Sequence, residues 1–189
     1  MNKDSNFAFI DSNNLYLAIK DLGWSLDYEH FRKYLKEKYQ VTKAYMFIGF
    51  IEKHKDLYKS LQEKGYILIF KPTLVYKDGS TKGNCDAELV LQAMIDFKDY
   101  DKAVLVTGDG DFFCLVDYLI KQKKFKKLLV PNQKKYSALL KSVPSEYLAF
   151  VSELKNKVAY KQSFSTNKQS LRSLSSMTRT AGLKKKKTS

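Results

Sequence analysis

Apolar positions along this chain form short unbroken runs, separated by longer stretches in which they recur at helical spacing. FAFI (7–10) is the first run and leads directly into Asp11. Asn14 to Leu22 carries Leu15, Leu17 and Ile19 and predicts a helix. Ser25 or Asp27 caps a second helix, in which Phe31, Tyr34 and Leu35 repeat at helical intervals. KAYMFIGFI (43–51) reads as a buried strand, His54 to Lys64 as a helix stopped by Gly65, and YILIF (66–70) as a strand ended by Pro72. LVYKDGSTKG (74–83) is polar and turn-rich, with Asp78-Gly79 as a hairpin turn.

NCDAELVLQAMIDF predicts a helix with Asn84 as N-cap and Leu89, Val90, Met94 and Phe97 near one apolar face. AVLVTG is the next strand and DFFCLVDYLIKQKK the next helix. KKLLVP is a strand, KKYSALLKSV a helix, and EYLAFVSEL fits either. A strand open to water on one side alternates apolar with polar residues, whereas these runs are apolar throughout. Such runs alternating with helices predict an α/β fold: a three-layer α/β/α sandwich with a mostly parallel central sheet of about five strands.

The length, 189 residues, suits one domain of ordinary size. Charge is distributed unevenly. The formal net charge is +14, yet ten bases and no acid follow Glu153, which leaves about +4 for residues 1–154. A Lys/Ser/Thr-rich end with few large apolar residues buries too little surface to offset its ordering entropy. Residues 1–155 therefore form the expected domain and 156–189 a basic, disordered tail, either a tether to nucleic acid or a solvated end. Cys85 and Cys114 are the only cysteines, without a CxxC, which fits a reducing compartment. The N-terminal residues lack the apolar stretch of a signal peptide and no run approaches a membrane span, so a cytoplasmic location is expected. No internal repeat is visible.

The chemistry lies at the strand ends. VTGDGDF (106–112) sets Asp109 and Asp111 just after an apolar run, as Asp11 follows the first one. Ligands of open α/β sheets sit outside the carboxyl ends of the strands, where the strand order reverses. With the order 3-2-1-4-5 the first and fourth strands are neighbours, and Asp11, Asp109 and Asp111 converge. Asp86, in the first turn of its helix, is positioned as a fourth acid and Glu88 as a possible fifth. Carboxylates this close repel one another unless a cation neutralises them, and Lys82 is the only lysine within these motifs. A hard divalent ion, Mg²⁺ or Mn²⁺, takes oxygen ligands and suits the set.

Other chemistries lack their residues. DSNNLY stands where a dinucleotide-binding GxGxxG would be, and no P-loop occurs. Asn13 occupies the position of the second acid of an aspartyl-phosphate phosphatase. His30 and His54 are isolated and the cysteines far apart, which excludes a zinc site. Any one of these aspartates alone also reads as a helix N-cap; the joint pattern is what favours a metal.

FIDSNNLY (9–16), KGNCDAEL (82–89) and VTGDGDF (106–112) together resemble the NYN domain family, especially its LabA-like branch, within the PIN-like nuclease superfamily. The resemblance covers residues 7 to about 150. It implies a PIN-like sheet and a metal-dependent endoribonuclease that hydrolyses RNA phosphodiester bonds, leaving a 5′-phosphate and a 3′-hydroxyl. By position it assigns catalysis and metal binding to Asp11, Asp86, Asp109 and Asp111. It brings Asn14, Lys82 and Thr107 to the substrate side and matches Ser137 and Leu140 to a later S-x-x-L pattern. Cys114 departs from a proline common in relatives, and KQKKFKK (121–127) lacks their usual Gly-Lys; neither touches the acids.

Plainer roles stand beside these. Asn14 also fits a helix cap, Lys82 a solvated loop charge, and Thr107 either a turn residue or a hydroxyl that orients an acid. Trp24, Tyr16, Tyr28, Tyr45 and Tyr76 offer faces for unpaired bases, although such a fold buries most aromatics in its core. KQKKFKK fits a phosphate contact or a solvated run. The expected partner is RNA, single-stranded or structured, with a homo-oligomer also open. The alternatives are a non-catalytic RNA- or protein-binding module of the same fold and a small-molecule phosphohydrolase.

Overall fold

The computed structural model describes residues 4–71, 74–75, 81–82 and 85–161, with backbone alone at 74–75 and 81–82. Strand β1 (Asn6–Asp11) enters helix α1 (Ser12–Asp21) without a linker. Helix α2 (Tyr28–Tyr39), strand β2 (Val41–Gly49), helix α3 (Lys55–Glu63) and strand β3 (Ile67–Lys71) follow. Two short strands, β4 (Leu74–Val75) and β5 (Thr81–Lys82), pair antiparallel; the Asp78-Gly79 turn predicted between them lies outside the described residues. The second half contains helix α4 (Asp86–Ile95), strand β6 (Ala103–Val106), helix α5 (Phe113–Lys121), strand β7 (Phe125–Val130), strand β8 (Leu148–Phe150) and helix α6 (Lys155–Val158).

Six strands form one sheet in the order β3-β2-β1-β6-β7-β8, every pairing parallel. Five of them keep the expected order and β8 adds a sixth at the edge. EYLAFVSEL, which fitted strand or helix, supplies both: the three-residue β8, then a 3₁₀ turn that leads into α6. KKYSALLKSV is a loop with a single 3₁₀ turn, Ala138–Ser142, rather than a helix. Ser137 caps that turn and Pro144 follows it too closely for a longer helix.

Burial follows the two-residue period of a strand covered on both faces. Phe7 and Phe9 pack with Tyr45, Phe47 and Leu105 against Leu89 and Ala93 of α4 and Leu115 and Leu119 of α5. Ala8 and Ile10 point the other way, with Ala44, Met46 and Val104, against Leu15 and Ile19 of α1, Phe31 and Leu35 of α2, and Val158 of α6. Each fully buried Leu, Ile or Phe contributes about 1.5–3 kcal/mol of hydrophobic stabilisation, so both layers hold the central strands. The α4 register differs from expectation. Leu89 and Ala93, four residues apart, face the sheet, which turns Met94 outward. Tyr45 belongs to the core, leaving no face for a base.

Asn6, buried at the start of β1, ties two elements to it. Its side-chain amide donates to the Tyr39 carbonyl at 2.7 Å, and its Oδ1 accepts from the Lys102 N–H at 3.0 Å. That bond fixes β1 against β6 at the amino end, so their carboxyl ends finish level: Ile10 lies opposite Val106. Among the described residues, no helix is long and apolar enough to cross a membrane. Val158 is buried and Ala159 bridges to Leu26, so the described chain stays with the folded body to that point. Residues 162–189, most of the expected tail, lie outside the described residues.

Candidate active site

Parallel pairing of β1 with β6 brings three motifs to one edge of the sheet. Asp11 ends β1 and caps α1: its Oδ1 accepts from the Asn14 N–H at 3.1 Å. Its Oδ2 accepts from the Thr107 hydroxyl at 3.1 Å, a bond between positions 96 apart in sequence. Thr107 is completely buried, and its Oγ1 in turn accepts from the Asp109 N–H at 3.1 Å. Asn14 uses both its ends. Its backbone serves the cap, while its Oδ1 accepts from the Gly108 N–H at 2.8 Å and pins the loop after β6 to α1. Capping and site construction are therefore one hydrogen-bonded network.

Asp109 repeats the device on a smaller scale. Its Oδ1 accepts from the Asp111 N–H at 3.0 Å and starts a 3₁₀ turn, Gly110–Phe112, which aims both acids outward from the strand end. The glycine between them is required by space. A Cβ at Gly110 would overlap the Ser137 side chain, and the Ser137 N–H braces the loop through the Gly108 carbonyl at 3.0 Å. Ser137 also caps the 3₁₀ turn in which Leu140 is buried.

Asp86, at the start of α4, completes the group. Asp86, Asp109 and Asp111 each offer a carboxylate oxygen, and the three lie within 4.8 Å of one another. Asp111 is exposed and the other two half-buried. Asp11 stands beside them. Burial lifts its carboxyl from an ordinary 3.8 to about 6; the Asn14 and Thr107 bonds oppose the rise, and the nearby charges of Asp86 and Asp109 add to it. An all-oxygen donor set from separate elements, open to water on one side, fits a hard divalent cation.

Glu88 lies apart from this trio. Its carboxylate is 3.1 Å from the Lys71 ammonium at the end of β3, so its charge is already balanced. Sequence reading missed Lys71, and no local pattern marks it; only the placement of β3 beside the first turn of α4 brings the pair together. Cys85 sits at that corner, its thiol pushed up to about 11 by burial and by Glu88, with Lys71 opposing. Cys114 is exposed on α5, its thiol directed to the Asp111 carbonyl at 3.6 Å. Lys82 falls in β5, but its side chain, like Asn84 and Tyr76, lies outside what the structure describes. The fold brings Asp11, Asn14, Asp86, Thr107, Asp109 and Asp111 together at the carboxyl ends of β1 and β6.

The fold and part of the sequence have counterparts among known proteins. A protein of unknown function from Vibrio parahaemolyticus has the same fold, with a TM-score of 0.66 at 23% identity, covering 85% of this chain and 99% of that one. The low amplitude and bright protein LabA of Synechococcus elongatus is 27% identical over 121 residues, which span 59% of this chain and 65% of LabA. The sequence profile described as NYN domain matches residues 7–154, and the strand ends and acids described above all fall within that span. By that match over most of its length, the chain belongs to the NYN domain family.

Proposed function

We propose that this protein is a metal-dependent endoribonuclease that hydrolyses RNA phosphodiester bonds at the acids gathered by the carboxyl ends of β1 and β6. The observation that carries this reading is the meeting of three carboxylate oxygens, from Asp86, Asp109 and Asp111, within 4.8 Å of one another. Membership of a family with a PIN-like nuclease fold and a net charge of +14 support it further. Asp86, Asp109 and Asp111 would hold Mg²⁺ or Mn²⁺, and Asp11 would close the shell from β1, directly or through water. When bound, the ion supplies an activated water and relieves charge on the leaving oxygen.

The chain's own residues supply position. Thr107 and the Asn14 N–H hold the Asp11 carboxylate in one orientation. Asn14 and Ser137 fix the backbone of the Gly108 loop, so Asp109 and Asp111 stay put while substrate enters. Holding groups in place in advance lowers the barrier without a reorganisation cost during reaction. Lys82 and the basic surface would attract the phosphate backbone. Hydrolysis would then leave a 5′-phosphate and a 3′-hydroxyl.

The test is cleavage of a mixed RNA pool by the full chain with Mn²⁺ or Mg²⁺. Chelator should stop it and restored metal should revive it. In parallel, metal should raise thermal stability, by about 2.7 kcal/mol at a hundred times its dissociation constant. RNA retained intact with metal bound would leave a binding module instead. Activity confined to mononucleotides would indicate a phosphohydrolase.

A further inference from the structure

The outward face of α4 is apolar where the other long helices are charged. Between Glu88 and Asp96 the helix reads LVLQAMI, with Gln92 as its one polar residue. Leu89 and Ala93 face the sheet. The opposite side therefore carries Leu91, Met94 and Ile95, which are 59%, 37% and 63% exposed. By contrast, the exposed sides of α2, α3 and α5 each hold an ion pair four residues apart: Lys33 with Glu37, Lys59 with Glu63, and Asp117 with Lys121. A helix that is apolar all round belongs in an interior, so the free side of α4 calls for a cover. The apolar stripe continues onto α5 through Phe97, whose ring centre lies 6.0 Å from that of Tyr118, itself 41% exposed.

Size, shape and charge point to a second copy of this chain as the cover. Leu91, Met94, Ile95 and Tyr118 together leave on the order of 400 Å² in water, the size of an apolar patch that serves as a contact surface. That is about half of the roughly 800 Å² that each partner buries in a stable interface, leaving the rest to a polar rim. The stripe also complements itself. Leu91 and Ile95 are one turn apart, so two α4 helices packed antiparallel about the point between them set each Leu91 on Ile95 of the partner subunit. Side chains of this size keep the helix axes about 8–10 Å apart, and reciprocal contact of this kind closes as a two-fold dimer. Charge fits the same alignment. Lys98 is exposed one turn beyond Ile95, and Glu88 lies as far from the midpoint on the other side. Glu88 is held by Lys71 yet keeps 32% of its side chain in water, so an ammonium can approach it from outside.

We propose that α4 is the interface of a two-fold dimer of this chain, in which Leu91 and Ile95 interlock with their copies and Lys98 meets Glu88 of the partner subunit. Asp86 starts the same helix, so the pairing sets Lys98 of the partner subunit near the first turn that bears this acid. The inference stands whether or not the acids cut RNA.

The test is the mass of the full chain by sedimentation and light scattering, from about 1 to 100 µM and without nucleic acid. The mass should rise from one chain to two across that range. Ile95→Glu, which would bury an unpaired charge, should raise the dissociation constant about a hundredfold or more. Lys98→Glu, which sets like charges opposite, should raise it about tenfold. Both side chains are exposed, so the diluted variants should melt like diluted wild type. In a Cys114→Ser background, a mixture of Leu91→Cys and Ile95→Cys chains should form a linked pair on oxidation faster than either chain alone. A single-chain mass at every concentration overturns the proposal. In that case resistance of Ile95→Cys to a thiol reagent would show another part of the same chain as the cover. A dimer indifferent to Ile95→Glu, or one that links each variant to itself faster than to the other, overturns it as well.

Discussion

Two helices of this domain begin with the same device, and only one of them begins at the candidate site. Asp27 caps α2 by accepting from the Glu29 and His30 N–H groups, each at 3.0 Å; Asp11 caps α1 by accepting from Asn14. Their surroundings separate them. Burial works against the charge of Asp27, but His30, through its N–H and its ring, together with Glu29, outweighs it and holds the carboxyl below its ordinary value. Asp11 is buried beside Asp86 and Asp109, and its carboxyl rises. Capping geometry therefore does not identify a functional aspartate. A cap placed where burial and like charge oppose ionisation marks a candidate, because a proton or an added cation must resolve that conflict.

The largest effect should come from removing a charge at one cap-like aspartate and not the other. Asp109→Asn should lower RNA cleavage on the order of a hundredfold or more, the usual cost of losing one electrostatic group at a reacting centre. Asp27→Asn should leave the rate unchanged. Equal rates in initial-velocity assays would erase the distinction.

The pH dependence of stability should differ in sign between the two. The folded chain holds the Asp11 proton to about pH 6, against 3.8 unfolded. Between those values it binds more protons than the unfolded chain, so metal-free stability should fall as pH rises, by up to about 3 kcal/mol, and then level off. Asp11→Asn should lack this slope. Asp27 acts the other way: its contribution is present above the ordinary carboxylate range and is lost as pH falls. Urea unfolding of wild type and both variants in chelator, scanned from below pH 4, where the Asp27 contribution is lost, up to pH 7, would reveal the opposed slopes.

The smallest effect belongs to capping itself. Asp27→Ala should cost about 1 kcal/mol in thermal or urea unfolding, with no change in metal affinity. A cost of several kcal/mol would mean that Asp27 does more than start a helix.

Most of the sheet was legible because full burial leaves an unambiguous trace: FAFI and AVLV are apolar at every position and buried at every position. What was illegible depended on neighbours. β8 has three half-buried residues at an edge, too few for a pattern, and is a strand only because β7 is beside it. Met94 has the same apolar character as Leu89, and the register that turns it outward is set by Ala93, whose small side chain gave no signal. At the site, Asp11, Asp86, Asp109 and Asp111 were readable as strand-end and helix-start acids. The Thr107–Asp11 bond was readable only in outline, as a hydroxyl near an acid. The Lys71–Glu88 pair was not readable at all. For Gly110 a clue was available: a glycine between two acids signals close approach of another segment, here Ser137.

The long reach between Asp11 and Thr107 also orders events during synthesis. A growing chain that has made only β1 to α4 holds Asp11 and Asp86 but neither Thr107 nor the loop that pairs with it. Ser137, which braces that loop, arrives later still. Contacts of such wide separation form late, when their loop-closure cost is met by the whole sheet. On the proposed reading, a ribosome-bound fragment is harmless to the messenger that encodes it, and cutting ability arrives only with the nearly finished domain.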